Sequence, residues 1–554
     1  MRMVAVSPRF VLFLLALVAF VASGSGLPLR DVHWDSPIYL YQAKRFADTP
    51  YLHDYSANAA AIAGQVDHHW PRDENYSEAY WRFSRLGHVM LVGTVVALFG
   101  ATQKSILLLH WLFSLLLSGA VLLAGLGAMR LLALLRNAGQ GAQLGWAIVV
   151  SAALFMSSGI FVYLAHSLVS EVPALFLLSV AALLLVMAMQ GRSFLLAALS
   201  GLAAFAVYVV RMESIWVYLS FAIVLAAALY LSGQRRSLPG VMSVAGGSAL
   251  FCYLLYAWYF YPLADPRLFL TYEKDISVVP RTVSAFHDLG AAGGLLWIGV
   301  VISVLSFRRW PVSRLALGWA ALILLPAVPY LVRGAPIQAR MLSTLVLPFL
   351  IASACGWGYV WAQRRARTSG RLLLGAGITS GALLMALSWS VVYDSVVKIP
   401  MLWRAQYVRQ VISPPRYEEH SYYYDELNRI SAAVYDGARP GYLLSDPSVS
   451  QEDLNLVRFF GPPYERSMTL VRRGDPTNAK PCATAKGDAV EPVVYCTGLP
   501  VDSHARARAE DVPIFYLTRG RKRSSSRGAI PARYRAEPSL LTAHFQLLRL
   551  HPAS

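Results

Sequence analysis

Long apolar runs are the feature that most constrains this chain, and they recur from Phe10 to Val392. Runs such as 106–129 and 341–361 exceed the ~20 residues that a helix needs to cross about 30 Å of hydrocarbon. Backbone groups in lipid must satisfy their own hydrogen bonds, so such runs are predicted to be helices, and hydropathy without alternation excludes a transmembrane barrel. Hydrophobic residues make up 56% and charged residues 14% of the chain, where soluble domains carry about 25% charged residues. The sequence therefore predicts an all-α polytopic membrane bundle.

The net charge of +18 could suggest a nucleic-acid partner, but the placement of the charges argues against one. Many Lys and Arg residues lie in short loops between apolar runs, which is the positive-inside pattern of a membrane protein with a cytoplasmic N-terminus. About eleven spans are predicted, near 9–27, 105–130, 144–165, 172–190, 193–210, 214–232, 239–261, 289–307, 315–332, 341–362 and 371–393.

Two segments decide this topology. The apolar run 87–100 has only about 14 residues, which is typical of interfacial segments, and we expect a juxtamembrane helix there. If it crossed the membrane, every later Arg cluster would face outward. The run within 1–29 is long and has a weakly charged start, so we expect a retained anchor rather than a cleaved signal peptide.

The predicted organisation is a transmembrane module over 1–398, which includes a first extracytoplasmic loop at 28–86, and an extracytoplasmic domain over 399–554. Helix-like and strand-like segments in the second part predict a small α/β domain, with helices at 417–435 and 451–460 and strands at 441–445, 493–495, 514–517 and 545–550. Cys482 and Cys496 could form a disulfide there or remain free thiols.

Ionisable residues gather at the outer ends of the predicted spans. Glu171, Arg211 and Arg340 stand at span boundaries, where such groups are costly unless they are paired or functional, and a single Arg could also extend to the interface. Further charged residues on this side are Asp31, Asp35, Lys44 and Arg333. A carboxylate can accept a proton from an attacking hydroxyl, and the planar guanidinium matches phosphate oxygens. Together they suit displacement of a phosphate leaving group by a hydroxyl.

A motif after the first span is shared with a known superfamily. Asp35-Ser-Pro-Ile-Tyr39-Leu-Tyr-Gln-Ala43 combines an acidic residue, an aromatic residue four positions on and a small residue four positions beyond that. It resembles the opening of the C-type glycosyltransferases (GT-C), most of all the protein O-mannosyltransferase and aminoarabinose transferase branch (glycosyltransferase family 39/83-like). Further landmarks follow in the same order over roughly residues 8–395: Phe99-Gly100, Ser170-Glu171-Val-Pro173, Arg211-Met-Glu213 and Arg340-Met-Leu.

The resemblance implies an inverting transferase that moves a sugar from a polyprenyl-phosphate donor to an acceptor glycan, lipid or protein. We predict that Asp35, which opens the motif, is the catalytic base, with Asp31 and Glu171 as the other candidate catalytic residues. From their position at the outer side, Arg211, Arg340, Arg333 and Lys44 are predicted to contact the donor phosphate. The family often has two adjacent acidic residues where this chain has Asp35 followed by Ser36. Asp35 could alternatively cap the helix that Pro37 helps to begin.

Other functions remain open at this point. A transporter or lipid flippase, a polysaccharide polymerase or ligase, and an inactive scaffold built on the same fold are the alternatives. No cofactor is indicated; the sequence points to no metal site, but a divalent metal is left open. Composition is compatible with a bacterial inner membrane, with the C-terminal domain on the extracytoplasmic side.

Overall fold

The computed structural model describes residues 7–25, 35–48, 85–135, 141–156, 161, 164–165, 167–231, 233, 238–260, 290–306, 311–325, 346–363, 424–435, 442–445, 449, 451–461, 470–472, 514–519 and 534–552. The helices of the first part are α1 (Pro8–Ser25), α2 (Asp35–Asp48), α3 (Leu86–Phe99), α4 (Gln103–Leu134), α5 (Gly141–Met156), α6 (Glu171–Gly191), α7 (Phe194–Val210), α8 (Ile215–Leu231), α9 (Leu238–Phe260), α10 (Gly290–Leu305), α11 (Pro311–Leu324) and α12 (Val346–Gln363).

The helices confirm a multi-pass membrane protein. Among the residues that the structure describes, four segments are long and apolar enough to cross a membrane: Gln103–Leu134, Glu171–Gly191, Met212–Leu231 and Leu238–Trp258. The other spans predicted before residue 363 overlap with shorter apolar helices, and the span near 371–393 lies outside the described residues. A count of about eleven therefore stays a prediction.

Local sequence explains how consecutive helices are joined. Thr102 caps α4 through a reciprocal box in which its hydroxyl accepts from the Ser105 N–H and the Ser105 hydroxyl accepts from the Thr102 N–H. Between α6 and α7, Arg192 adopts a left-handed conformation with φ of 51°, and Ser193 then accepts the Leu196 N–H as the α7 N-cap. This tight turn makes α6 and α7 an antiparallel hairpin with Arg192 at its exposed end.

The short apolar run at 87–100 was predicted to form a helix of its own. The structure confirms this with α3, Leu86–Phe99. Its Gly93 lies so close to α2 that an added Cβ would be 2.7 Å from the Phe46 ring and 3.0 Å from the Ala43 carbonyl. Small residues allow such close approach between helices in a membrane protein. Its position along the membrane stays a prediction.

The second part contains α13 (Tyr424–Tyr435), β1 (Tyr442–Ser445), α14 (Gln451–Phe460), β2 (Leu470–Arg472), β3 (Ile514–Arg519), β4 (Tyr534–Leu541) and β5 (Phe545–Pro552). The strand order is β2-β1-β3-β5-β4, with β1 parallel to β2 and β3, and with β5 antiparallel to β3 and β4. This confirms a small α/β unit. The predicted strand at 493–495 lies outside the described residues, and the boundary at 398/399 stays a prediction.

The apolar core continues from the bundle into this sheet unit. Leu40 of α2, Val92 of α3 and Leu454 of α14 belong to the same buried cluster. Helix α2 is therefore packed between the transmembrane helices and the C-terminal part, and this arrangement fixes the position of its first turn.

Candidate active site

The first turn of α2 is anchored to the segment that precedes α6. Asp35 is the first residue of α2, and the fully buried Ser36 hydroxyl accepts a hydrogen bond from the Leu168 N–H at 3.1 Å. Ser36 stands where the resemblance often has a second acidic residue, and here it ties the Asp35 position to a point three residues before Glu171.

The aromatic and the small residue of the motif that begins at Asp35 also lie at contacts of α2 with neighbouring segments. The Tyr39 hydroxyl lies 3.3 Å from the Ser170 hydroxyl, and the Ala43 carbonyl faces Gly93 of α3. Residues four apart lie on one face of a helix. The aromatic and small positions of the motif therefore serve to dock α2 against α3 and the start of α6.

Glu171 and Arg211 form a buried ion pair beside Tyr39. Glu171 opens α6 and Arg211 follows the last residue of α7; an Arg211 Nη1 nitrogen lies 2.7 Å from Glu171 Oε1 and donates to the Ser170 hydroxyl at 3.1 Å. Their side chains retain only 1% and 7% of their accessible surface. A carboxylate in the first turn of a helix is also stabilised by the helix dipole.

A second ion pair lies at the same corner of the bundle. Arg85, just before α3, donates to Glu213 Oε1 at 2.6 Å, and Glu213 belongs to the short 3-10 turn Met212–Ser214. Arg211 and Glu213, two residues apart, thus have opposite charges and separate partners.

His88 is a buried ionisable residue that was not predicted from sequence as a site residue. Its ring lies between the rings of Tyr39 and Phe113, with centroid distances of 4.3 Å and 5.6 Å, and it is fully buried. It is also close enough to Glu171 and Arg211 to interact with their charges. The available signal was a histidine within an apolar helix, since ionisable residues in such segments are rare and often functional.

Lys44 lies at the other side of α2, against the C-terminal part. Its ammonium group donates to the carbonyls of Arg458, at 3.1 Å, and of Gly461. Arg458 in turn donates to the Tyr41 hydroxyl at 3.4 Å. Burial lowers the pKa of Lys44 to about 8, and the nearby Asp48 carboxylate opposes that shift. The prediction that Lys44 contacts the donor phosphate stays a prediction.

The structure thus brings together Glu171, Arg211 and the backbone position of Asp35. The remaining sequence-predicted site residues, Asp31, Arg333, Arg340, Cys482 and Cys496, lie outside the described residues. Within the described part of the chain, no group of three His, Cys, Asp or Glu side chains could hold a metal ion.

The arrangement has the chemical properties that anion recognition requires. Arg211 directs Nη1 at Glu171 and Ser170, and its Nε and Nη2 nitrogens make no hydrogen bond to any residue in the described ranges. A guanidinium carries five N–H donors. Arg211 can therefore remain paired with Glu171 and still offer donors to an anionic ligand.

Comparison with known proteins supports the fold but no specific family. No protein-family model matches the chain, and no curated protein matches it in sequence. Among solved structures, the chain is similar to ArnT from Cupriavidus metallidurans bound to undecaprenyl phosphate, with a TM-score of 0.55 and 13% identity over 97% of both chains. ArnT from the same organism in the apo state gives a TM-score of 0.52 and 12% identity over 97% of both chains. The chain therefore shares its overall fold with these two ArnT structures.

Proposed function

We propose that this protein is a membrane glycosyltransferase that moves a sugar from a polyprenyl-phosphate donor to an acceptor hydroxyl at the extracytoplasmic face. The observation that supports it most is the docking of the first turn of α2 against the start of α6. Through Ser36 and Tyr39 it holds the Asp35 position next to the buried pair of Glu171 and Arg211. A carboxylate and a guanidinium are the two groups that displacement of a phosphate by a hydroxyl requires.

Asp35 is the general base of this proposal. The acceptor hydroxyl oxygen attacks the anomeric carbon, its proton passes to the Asp35 carboxylate, and the bond between that carbon and the phosphate oxygen breaks. The phosphate leaves with the bonding electron pair. Because this is a single displacement without a covalent enzyme intermediate, it inverts the anomeric carbon. Asp31 and Glu171 are the alternative bases.

Arg211 stabilises the leaving phosphate in this proposal, together with Arg340 and Arg333. Its Nε and Nη2 donors make no bond to described residues, and a guanidinium can bind two phosphate oxygens at once. Neutralisation by Glu171 reduces the cost of burying Arg211 before the donor arrives. Lys44 is a less suitable phosphate ligand, since its ammonium group is directed at two carbonyls.

The partners follow from the same site. ArnT, which shares the fold, was crystallised with undecaprenyl phosphate, so we infer a polyprenyl donor whose tail lies in the lipid. The inner membrane is the inferred location, with the C-terminal unit on the extracytoplasmic side. The acceptor is a glycan, a lipid or a protein hydroxyl.

Asp35→Asn tests the proposed base. General-base assistance is worth about 10²–10⁴ in rate, so transfer should fall by about that factor. Asparagine caps a helix as well as aspartate does, so the protein should still fold and insert. Membranes would be supplied with a panel of labelled polyprenyl-phosphate sugars, and release of polyprenyl phosphate would be measured. Asp48→Asn removes a carboxylate from the opposite end of α2 and should leave the rate nearly unchanged.

The outcomes separate the competing functions. Normal transfer by Asp35→Asn would leave Asp35 as a helix cap and move the search for the base to Asp31 or Glu171. A wild-type protein that releases no polyprenyl phosphate from any donor of the panel would favour the inactive scaffold. Movement of intact donor across vesicles would favour the flippase.

A further inference from the structure

The interior of the site contains one imidazole whose polar atoms have no role in the mechanism above. His88 has no accessible surface, and neither ring nitrogen makes a hydrogen bond of good geometry to a described residue, although the Leu168 backbone is close enough to interact weakly with the ring. A buried polar group without a partner is destabilising, and most buried polar groups in native proteins are paired. Packing alone does not explain a histidine here, because a phenylalanine would fill the same space at no such cost.

The surroundings of His88 indicate what its missing partner is. The ring contacts Tyr39, whose hydroxyl meets Ser170, and Ser170 accepts from the same Arg211 nitrogen that pairs with Glu171. A neutral imidazole offers one N–H donor and one acceptor nitrogen. His88 therefore adds a hydrogen-bond donor close enough to interact with the guanidinium that the proposed function assigns to the phosphate.

We infer that His88 is a further donor-binding residue, whose imidazole N–H donates a hydrogen bond to a phosphate oxygen of the lipid-linked donor. This inference rests on the proposed function, since it assigns a ligand to the same site. The burial of His88 is similar to that of the other residues of the proposed site, because Glu171 and Arg211 are nearly as buried.

His88→Phe separates a binding role from a packing role. Phenylalanine retains an aromatic ring between Tyr39 and Phe113 but has no hydrogen-bonding atoms. The inference predicts that affinity for undecaprenyl phosphate, measured by titration of the full-length protein in nanodiscs, falls about 10- to 100-fold. It also predicts an unchanged or higher melting temperature, because the unpaired nitrogens are gone. His88→Gln, which restores a side-chain N–H donor, should recover part of the affinity.

His110→Phe is the matched control. His110 is a second buried histidine, on α4, and receives the same chemical change. Its affinity for undecaprenyl phosphate should stay within about twofold of the wild type. An equal loss of affinity in both variants would overturn the inference, because the loss would then follow from any buried histidine-to-phenylalanine change.

The remaining outcomes keep this inference separate from the proposed function. If the wild type and Asp35→Asn bind undecaprenyl phosphate and His88→Phe binds it equally well, only the role of His88 is wrong. If the wild type itself does not bind, the polyprenyl-phosphate donor is wrong. A loss of affinity that appears only with sugar-bearing donors would overturn the phosphate contact and place the hydrogen bond on the sugar.

Discussion

Two ion pairs at one corner of the bundle differ in how their charges are buried. In the pair of Glu171 and Arg211 both side chains are inaccessible, retaining 1% and 7% of their surface. In the pair of Arg85 and Glu213 the arginine retains 5% but the carboxylate, although protein atoms surround it closely, retains 42%. The first pair is symmetric in burial and the second is not.

The difference matters because the stability lost when one partner is removed depends on whether the remaining charge is buried or exposed. A buried charge that loses its counter-charge has neither water nor an ion to stabilise it. A charge with open surface can be solvated by water instead. The symmetric pair should therefore be sensitive to the removal of either member, and the asymmetric pair mainly to the removal of its exposed member.

The largest effect is expected in the symmetric pair. Glu171→Gln removes the carboxylate that pairs with the buried Arg211, and Arg211→Met removes the guanidinium that pairs with the buried Glu171. Each variant should lower the free energy of unfolding by about 3–5 kcal/mol, measured by denaturant unfolding in detergent. The double variant should be much more stable than the sum of the two losses predicts. Additive losses would show that the two charges do not depend on each other.

Part of this corner was predictable from sequence. Glu171 and Arg211 were predicted site residues, because an ionisable residue at the end of an apolar run stands out. The motif of Asp35, Tyr39 and Ala43 was also recognisable from sequence, and Tyr39 and Ala43 both lie at contacts of α2 with neighbouring segments. These features depend on local periodicity, which a single sequence contains.

The pairings themselves were not predictable. Arg85 meets Glu213 across 128 residues, and Lys44 meets Arg458 across 414. Such contacts depend on how the helices pack, so no sequence spacing reveals them. The strand β4 was also missed, and its Pro538 explains why: proline interrupts a strand pattern, yet an edge strand tolerates it near a bulge.

Lys44 extends the comparison to a buried cation whose ammonium group donates to two backbone carbonyls. Burial lowers the pKa of Lys44 to about 8 from 10.5, so between these values the unfolded chain binds more protons than the folded protein. Stability relative to Lys44→Met should therefore increase as pH rises from about 8 to 10.5, by about 3 kcal/mol in total. Unfolding in detergent at several pH values measures this difference. A constant difference would show that Asp48 and the two carbonyls stabilise the charged ammonium group fully.

The smallest effect is expected in the asymmetric pair. The informative result is which of its two variants loses more stability. Glu213→Gln removes the carboxylate that pairs with the buried Arg85 and should cost about 1–3 kcal/mol, the range for loss of a partner by a buried polar group. Arg85→Met leaves Glu213 with open surface, and we expect a loss below about 1 kcal/mol, as for exposed ion pairs. Methionine keeps most of the buried stem of Arg85, so the packing contribution changes little. Measured under one condition, the unfolding free energy of Glu213→Gln should thus be lower than that of Arg85→Met. If Arg85→Met is the more damaging change, the stabilisation at this corner comes from the packing of Arg85, and burial of the residual charge does not govern the cost.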